Sequence, residues 1–181
     1  MLISISEVLG LIVTSLVIGF IFMDKFPRKD IHKKFDFNTL IYAALIVSPG
    51  IILHELMHKF VAMFFGLTAI FKVFGLGIII AVILKLVHSP FILIAPGYVE
   101  LGNATNNLQT FFISFAGPFI NLTLWLLAII MLKSKKLGRN QLTFWHVTKQ
   151  INIILFIFNM IPLPPLDGSK VWYSLFKLIF P

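Results

Sequence analysis

A His-Glu-x-x-His pattern, formed by His54, Glu55 and His58, lies within an apolar part of the chain. On a helix, residues four positions apart share one face, so both imidazoles can reach a single metal ion. Glu55 projects beside them, where it can accept a proton from a water molecule held by the metal. The spacing is typical of zinc hydrolases and predicts one zinc ion bound by His54 and His58.

The composition indicates a membrane protein. Hydrophobic residues form 59% of the 181-residue chain and charged residues only 12%, whereas soluble domains carry roughly 25% charged residues. The net charge of +8 comes from basic residues that cluster between apolar segments. Lys and Arg meet lipid headgroups at such positions, so the lipid bilayer, and no nucleic acid, is the expected partner. Ionisable residues inside membrane segments are costly, and by default they mark a functional site.

A catalytic zinc ion usually has three protein ligands and one open position, so a third ligand is needed. The chain contains no cysteine, and its acids are few: Glu7, Asp24, Asp30, Asp36, Glu55, Glu100 and Asp167. Asp167 follows the helix-breaking sequence Pro162-Leu163-Pro164-Pro165, so the chain can bend there and present a carboxylate inside the membrane. Glu100 is the alternative ligand, although its Pro-Gly-Tyr-Val setting favours a strand over a metal-bearing helix.

The apolar segments predict the helices that position these residues. A helix needs about 20 apolar residues to cross a bilayer, and candidate helices cover residues 2–23, 39–65, 108–132 and 144–161, with a short helical tail at 169–180. Residues 66–107 are too broken for two full spans and predict a re-entrant hairpin, or one short pass plus an extended segment. We therefore expect an all-α, multi-pass protein of the cell membrane with about four to five transmembrane helices. It would form one membrane-embedded domain over residues 1–181, with a catalytic core at about residues 39–180.

Three motifs together resemble the site-2 protease family of intramembrane zinc metalloproteases. The first is His54-Glu55-Leu56-Met57-His58, the second is Ala116-Gly117-Pro118-Phe119-Ile120-Asn121, and the third is Asn159-Met160-Ile161-Pro162-Leu163-Pro164-Pro165-Leu166-Asp167-Gly168. They occur in the family's order and extend over about residues 51–170 of the chain. Any one of them alone would be a weaker indication.

The resemblance implies a three-helix core and a defined set of site residues. The zinc ligands would be His54, His58 and Asp167, with Glu55 as the general base. The substrate would be a transmembrane protein that is cleaved after local unwinding. The segment at residues 96–101, with Gly97 and Tyr98, resembles the strand that pairs with an unwound substrate in this family.

Two asparagines bring amides into apolar helices. Asn121 and Asn159 are candidates for positioning the substrate backbone or stabilising the oxyanion. The alternative for both is hydrogen bonding between helices. At the level of the whole protein, the alternative to a protease is a zinc-binding transporter or channel subunit, in which the two histidines form a transit site. Glu55 favours hydrolysis, because ion transit does not require a base.

Overall fold

The computed structural model describes residues 3–26, 35–89, 97–102, 105–134 and 136–180. Of the described residues, 76% are helical, as the sequence predicts. The elements in chain order are α1 (Ile5–Phe22), a short 3-10 turn (Met23–Lys25), α2 (Phe37–Phe64), β1 (Ala69–Val73), α3 (Gly75–Leu86), β2 (Gly97–Leu101), α4 (Asn107–Leu132), α5 (Arg139–Asn159) and α6 (Asp167–Ile179).

Three of the described helices are long and apolar enough to cross a membrane. They are α1 with its 3-10 turn (Ile5–Lys25), α2 and α4. At 1.5 Å per residue, each exceeds the roughly 30 Å thickness of the hydrocarbon core. The expectation of a membrane protein is met by these helices, while the four to five spans and the re-entrant hairpin stay predictions.

The segment between α2 and α4 has a strand, a helix and a second strand. β1 and β2 form a two-stranded sheet, and α3, with 12 residues, is shorter than a membrane span. The extended segment predicted in this region is therefore present at Gly97–Leu101. Pro96, which precedes it, lies outside the described residues.

The chain divides into two compact units, and the first comprises Met1–Ile52 and Ile70–Tyr98. Within it, α1 packs against α3. The buried side chain of Glu7 forms a capping box with Ser4 at the start of α1, and its Oε1 accepts a hydrogen bond from the backbone N–H of Phe71 at 2.7 Å. Lys85 near the end of α3 forms an ion pair with Asp24 at 3.0 Å. These polar contacts fix α1 against the sheet and α3.

The second unit comprises Leu53–Ala69 and Val99–Pro181. α4 is its centre and packs against both α5 and α6. Ala62, Ala69 and Ile113 form an apolar cluster, and side chains from the end of α2 and from β2 pack around it: Val61, Met63, Phe65, Leu67, Val99 and Leu101. This cluster joins the C-terminal part of α2 to the start of α4, so the histidine face of α2 is held against α4.

Candidate metal centre

The two motif histidines lie on one face of α2, and both are buried. Their Nε2 atoms are 3.1 Å apart, and the rings meet edge to face with centroids separated by 4.7 Å. The four-residue spacing thus brings the two Nε2 atoms next to each other, because residues four positions apart share one face of a helix.

Each imidazole is oriented by a hydrogen bond at its other nitrogen. His58 Nδ1 lies 2.6 Å from the backbone carbonyl oxygen of Ile113, and His54 Nδ1 lies 2.6 Å from Oδ1 of Asn121. A carbonyl oxygen can only accept, so each Nδ1 carries the proton and donates it. In the neutral imidazole, each Nε2 atom then carries a lone pair, which is the state that binds a metal.

Asp167 is the first residue of α6 and brings its carboxylate to the same point. Its Oδ2 lies 3.0 Å from Nε2 of His54 and 3.2 Å from Nε2 of His58. Two features hold this end of α6 close to the end of α5. Gly168 lets the backbones approach so closely that a Cβ there would lie 2.5 Å from the carbonyl oxygen of Ile161, and Trp172 Nε1 donates to the carbonyl oxygen of Met160 at 2.9 Å.

Gly117 of α4 is opposite the two histidines. A Cβ at this position would lie 2.6 Å from Nε2 of His54 and even closer to Nε2 of His58. Any side chain would therefore occupy the space in front of the ligand atoms. Pro118, the next residue, cannot donate a backbone hydrogen bond to Ser114. The regular bonding of α4 is thus interrupted beside Ile113, the residue whose carbonyl orients His58.

The donor set fits a zinc ion. Among the described residues, His54, His58 and Asp167 are the group whose ligand atoms all lie within 4.8 Å of one another. With both imidazoles neutral, the two Nε2 atoms and the carboxylate of Asp167 direct lone pairs to one point, where a metal cation would bind all three. Two nitrogen ligands and one oxygen ligand, with a fourth position open, are the composition of a catalytic zinc site.

The other predicted site residues are not part of this group of three ligand atoms. Glu55 is half-buried, one residue after His54 on α2, and Asn159 is half-buried as the last residue of α5. Glu100, the alternative ligand, is exposed on β2 and is not among the three grouped ligands. Gly97 lies against Phe71 and Lys72, and Tyr98 is 46% exposed with its ring against Phe74.

Asn121 is fully buried, and both ends of its amide make hydrogen bonds inside the protein. Its Oδ1 faces His54, and its Nδ2 donates to Oδ1 of Asn152 at 2.7 Å. These contacts favour an orienting role over contact with substrate. The oxyanion role stays a prediction for both Asn121 and Asn159.

The sequence alone did not single out Gly117 or Asn152, which the structure places beside the histidines and beside Asn121. A glycine inside an apolar helix often marks a close approach of two elements. Asn152 lies in an apolar part of α5, and a buried amide among apolar residues needs a partner. That signal was present, but the partner is distant in sequence and only the fold reveals it.

Comparison with known proteins matches the chain to one family model and to two named relatives. The family model of Peptidase family M50 matches residues 42–137 and 128–180. The chain is 34% identical over 168 residues to "Putative zinc metalloprotease MJ0611" of Methanocaldococcus jannaschii, covering 91% of this chain and 82% of that protein. It is 39% identical over 70 residues to "Putative zinc metalloprotease YwhC" of Bacillus subtilis, covering 33% of this chain and 31% of that protein. No solved structure shows significant similarity to the chain.

A His-Glu-x-x-His motif on an apolar helix, with an aspartate from a distant helix beside it, is the kind of site that a membrane metalloprotease has, with zinc as its cofactor. The chain belongs to peptidase family M50, the site-2 protease family of intramembrane zinc metalloproteases. The family predicted from the three sequence motifs is thereby confirmed. No observation favours the transporter or channel alternative.

Proposed function

We propose that this protein cleaves transmembrane protein substrates in or beside their membrane segments, with His54, His58 and Asp167 as the ligands of one zinc ion and Glu55 as general base. The convergence of the three ligand atoms supports the proposal most directly, since their separations are 3.0, 3.1 and 3.2 Å. Glu55 is the carboxylate adjacent in sequence to this group.

When bound, zinc supplies Lewis-acid chemistry, because it polarises a carbonyl and lowers the pKa of water towards about 7. Glu55 accepts the proton of the attacking water and returns it to the leaving amine. His54 and His58 keep their protons on Nδ1 throughout, because both Nδ1 atoms donate to oxygen acceptors. Asn159 is proposed as a donor to the developing oxyanion, a role that neutral amides perform in a water-poor site.

The substrate reaches the site in an extended form. We assign β2, and in particular Gly97 and Tyr98, to backbone pairing with the unwound substrate by strand addition. Gly97 also has a structural function, because it permits the close approach to Phe71. The exposed ring of Tyr98 is available to a substrate side chain.

The membrane setting follows from the same proposal. We place the protein in the cell membrane as a multi-pass chain, with one membrane-embedded domain over residues 1–181 and a catalytic core at about residues 39–180. Support comes from the helices α1, α2 and α4, each of which could span a bilayer. The apolar segment at residues 144–161 would be the fourth crossing, and a short pass within residues 66–107 would make a fifth.

A substrate series tests whether cleavage occurs within the membrane. Single-pass substrates in liposomes would differ only in a Gly near the scissile bond, replaced by Leu or Ala. A strong helix former raises the cost of local unwinding by about 1 kcal/mol, so cleavage should slow roughly fivefold. The Glu55→Gln protein serves as the blank. Rates that are indifferent to substrate helicity, or cleavage confined to soluble loops, would refute the proposal.

A further inference from the structure

A chain of buried amides runs from the backbone of α5 to His54. Asn152 Nδ2 donates to the carbonyl oxygen of Thr148 at 2.8 Å, and Asn152 Oδ1 accepts from Asn121 Nδ2 at 2.7 Å. Asn121 Oδ1 then accepts from Nδ1 of His54 at 2.6 Å. Asn121 is 0% exposed and Asn152 is 2% exposed, so water does not compete for these groups. We call this chain the amide relay.

The direction of the amide relay is set at its far end. A backbone carbonyl can only accept, so the end of Asn152 that faces Thr148 must be its NH₂ group. The other end of Asn152 is then an acceptor, and the end of Asn121 that faces it must be a donor. The carbonyl oxygen of Asn121 is thereby directed at His54.

The opposite arrangement would prevent metal binding. If Asn121 were turned around, its NH₂ group would face Nδ1 of His54, and Nδ1 would have to accept. The proton of the neutral imidazole would then reside on Nε2, the atom that faces Asp167 and the metal site. The shape of the Asn121 side chain does not fix its orientation, because an amide has a donor end and an acceptor end of similar shape.

We propose that Asn152 is a positioning residue that fixes the tautomer of His54 through Asn121 and so sets the zinc affinity of the site. This inference rests on the proposed metal site and adds Asn152 to the residues that control it. Asn152 would change zinc affinity without contacting the metal, because its described hydrogen bonds are to Asn121 and Thr148. His58 is independent of the amide relay, because its Nδ1 donates directly to a backbone carbonyl.

The first measurement is zinc affinity by chelator competition on the purified holoenzyme. Asn152→Leu keeps the approximate shape of the side chain and removes both polar groups, and it should lower zinc affinity by about tenfold to a hundredfold. Ser174→Ala is the matched control. It also removes a buried polar group from the second unit, a hydroxyl that among the described residues bonds to carbonyls of its own helix at Lys170 and Val171. It should leave zinc affinity unchanged.

A bypass variant separates the amide relay from general packing. In the Asn121→Asp background, a carboxylate faces His54, and it can only accept whatever Asn152 does. Asn152→Leu should therefore lose its effect on zinc affinity in that background. A tenfold or larger loss that persists there would mean that Asn152 acts through packing and would overturn the inference.

The imidazole protons give an independent spectroscopic readout. In the zinc-bound wild type, the Nδ1 protons of His54 and His58 should both resonate far downfield, since both hydrogen bonds are short. Asn152→Leu should move or broaden the His54 resonance while that of His58 stays in place as an internal control. Unchanged His54 resonance and zinc affinity would refute the relay but leave the zinc site intact, whereas a wild-type protein that binds no zinc would refute both.

Discussion

His54, His58 and Asp167 each direct one lone pair to the same point, and their ligand atoms are separated by only 3.0 to 3.2 Å. In the absence of a cation, this arrangement of acceptors would be unfavourable in a buried site. Because both Nδ1 atoms already donate to other oxygens, a proton could relieve this repulsion only by converting an imidazole to imidazolium. At the residue scale, two imidazoles that present Nε2 and one carboxylate form a donor set suited to a metal ion.

The identity of the third ligand is tested by comparing two acids. Asp167→Ala removes a carboxylate that lies at the site, whereas Glu100→Ala removes one that is exposed on β2. Loss of a residue that only hydrogen-bonds a metal ligand lowers metal affinity by about tenfold to a hundredfold. Asp167→Ala should lower zinc affinity by more than this, and Glu100→Ala should lower it little. Zinc content and chelator competition measure both, and equal losses would contradict the assignment.

Gly117 allows a prediction with a clear steric cause. The methyl group of Gly117→Ala would overlap both Nε2 atoms, so zinc affinity should fall by at least about tenfold. Gly75→Ala is the control, because a Cβ on that helical glycine would meet nothing within 4 Å. Zinc binding by Gly117→Ala that equals the wild type would show that the two helices move apart without cost, contrary to the packing described.

The sequence predicts the grouping of His54, His58 and Asp167, but it does not predict the residues that contact them. The His54 and His58 spacing fixes a shared helix face, and the proline-rich turn before Asp167 indicates a carboxylate at a helix start. Asn152 contacts Asn121 from 31 residues away in sequence, and no local pattern specifies that pairing. Likewise, Asn121 carries an amide whose partner could not be known until α4 and α2 were placed together.

At the scale of elements, the junction of α5 and α6 determines where the third ligand lies. α5 ends at Asn159, and α6 begins at Asp167. Gly168 and Trp172 fix the start of α6 to the carbonyl groups at the end of α5. A carboxylate at a helix start is also stabilised by the helix dipole, by about 0.3–1 kcal/mol.

Gly168→Ala tests this junction, because two effects of opposite sign compete. Alanine is a better helix former by about 1 kcal/mol, but its Cβ would lie 2.5 Å from the backbone carbonyl oxygen of Ile161, which cannot rotate away. We expect the overlap to dominate, with lower zinc affinity and a lower unfolding temperature. Tyr173→Ala on the exposed face of the same helix controls for changes in α6 itself, and a Gly168→Ala protein with undiminished zinc affinity would contradict this account.

The predicted helices agree closely with the structure where apolar segments are long. The expected spans at residues 39–65 and 108–132 correspond to Phe37–Phe64 and Asn107–Leu132. A long apolar segment is expected to form a helix, because every backbone N–H and C=O inside a membrane must have a hydrogen-bond partner. Residues 66–107 were ambiguous because short apolar runs suit a strand or a helix equally, and the chain forms both there.

At the scale of the whole molecule, a water-dependent reaction occurs on helices suited to hydrocarbon. α2 carries both histidines and Glu55 and is one of the helices that could span the bilayer. Ionisable residues on a membrane-spanning helix are costly. The proposed metal site explains why two histidines lie on α2. In the proposed mechanism Glu55 is the base, a role that hydrolysis requires and that metal storage or transit does not.

The central claim is tested most directly by measuring zinc content and cleavage rate on the same sample of Glu55→Gln protein in liposomes with a transmembrane substrate. Glutamine keeps the shape of the side chain but cannot act as base, so the protein should retain one zinc ion per chain and lose cleavage by at least about a hundredfold. Cleavage near the wild-type rate by a zinc-loaded Glu55→Gln protein would contradict the account.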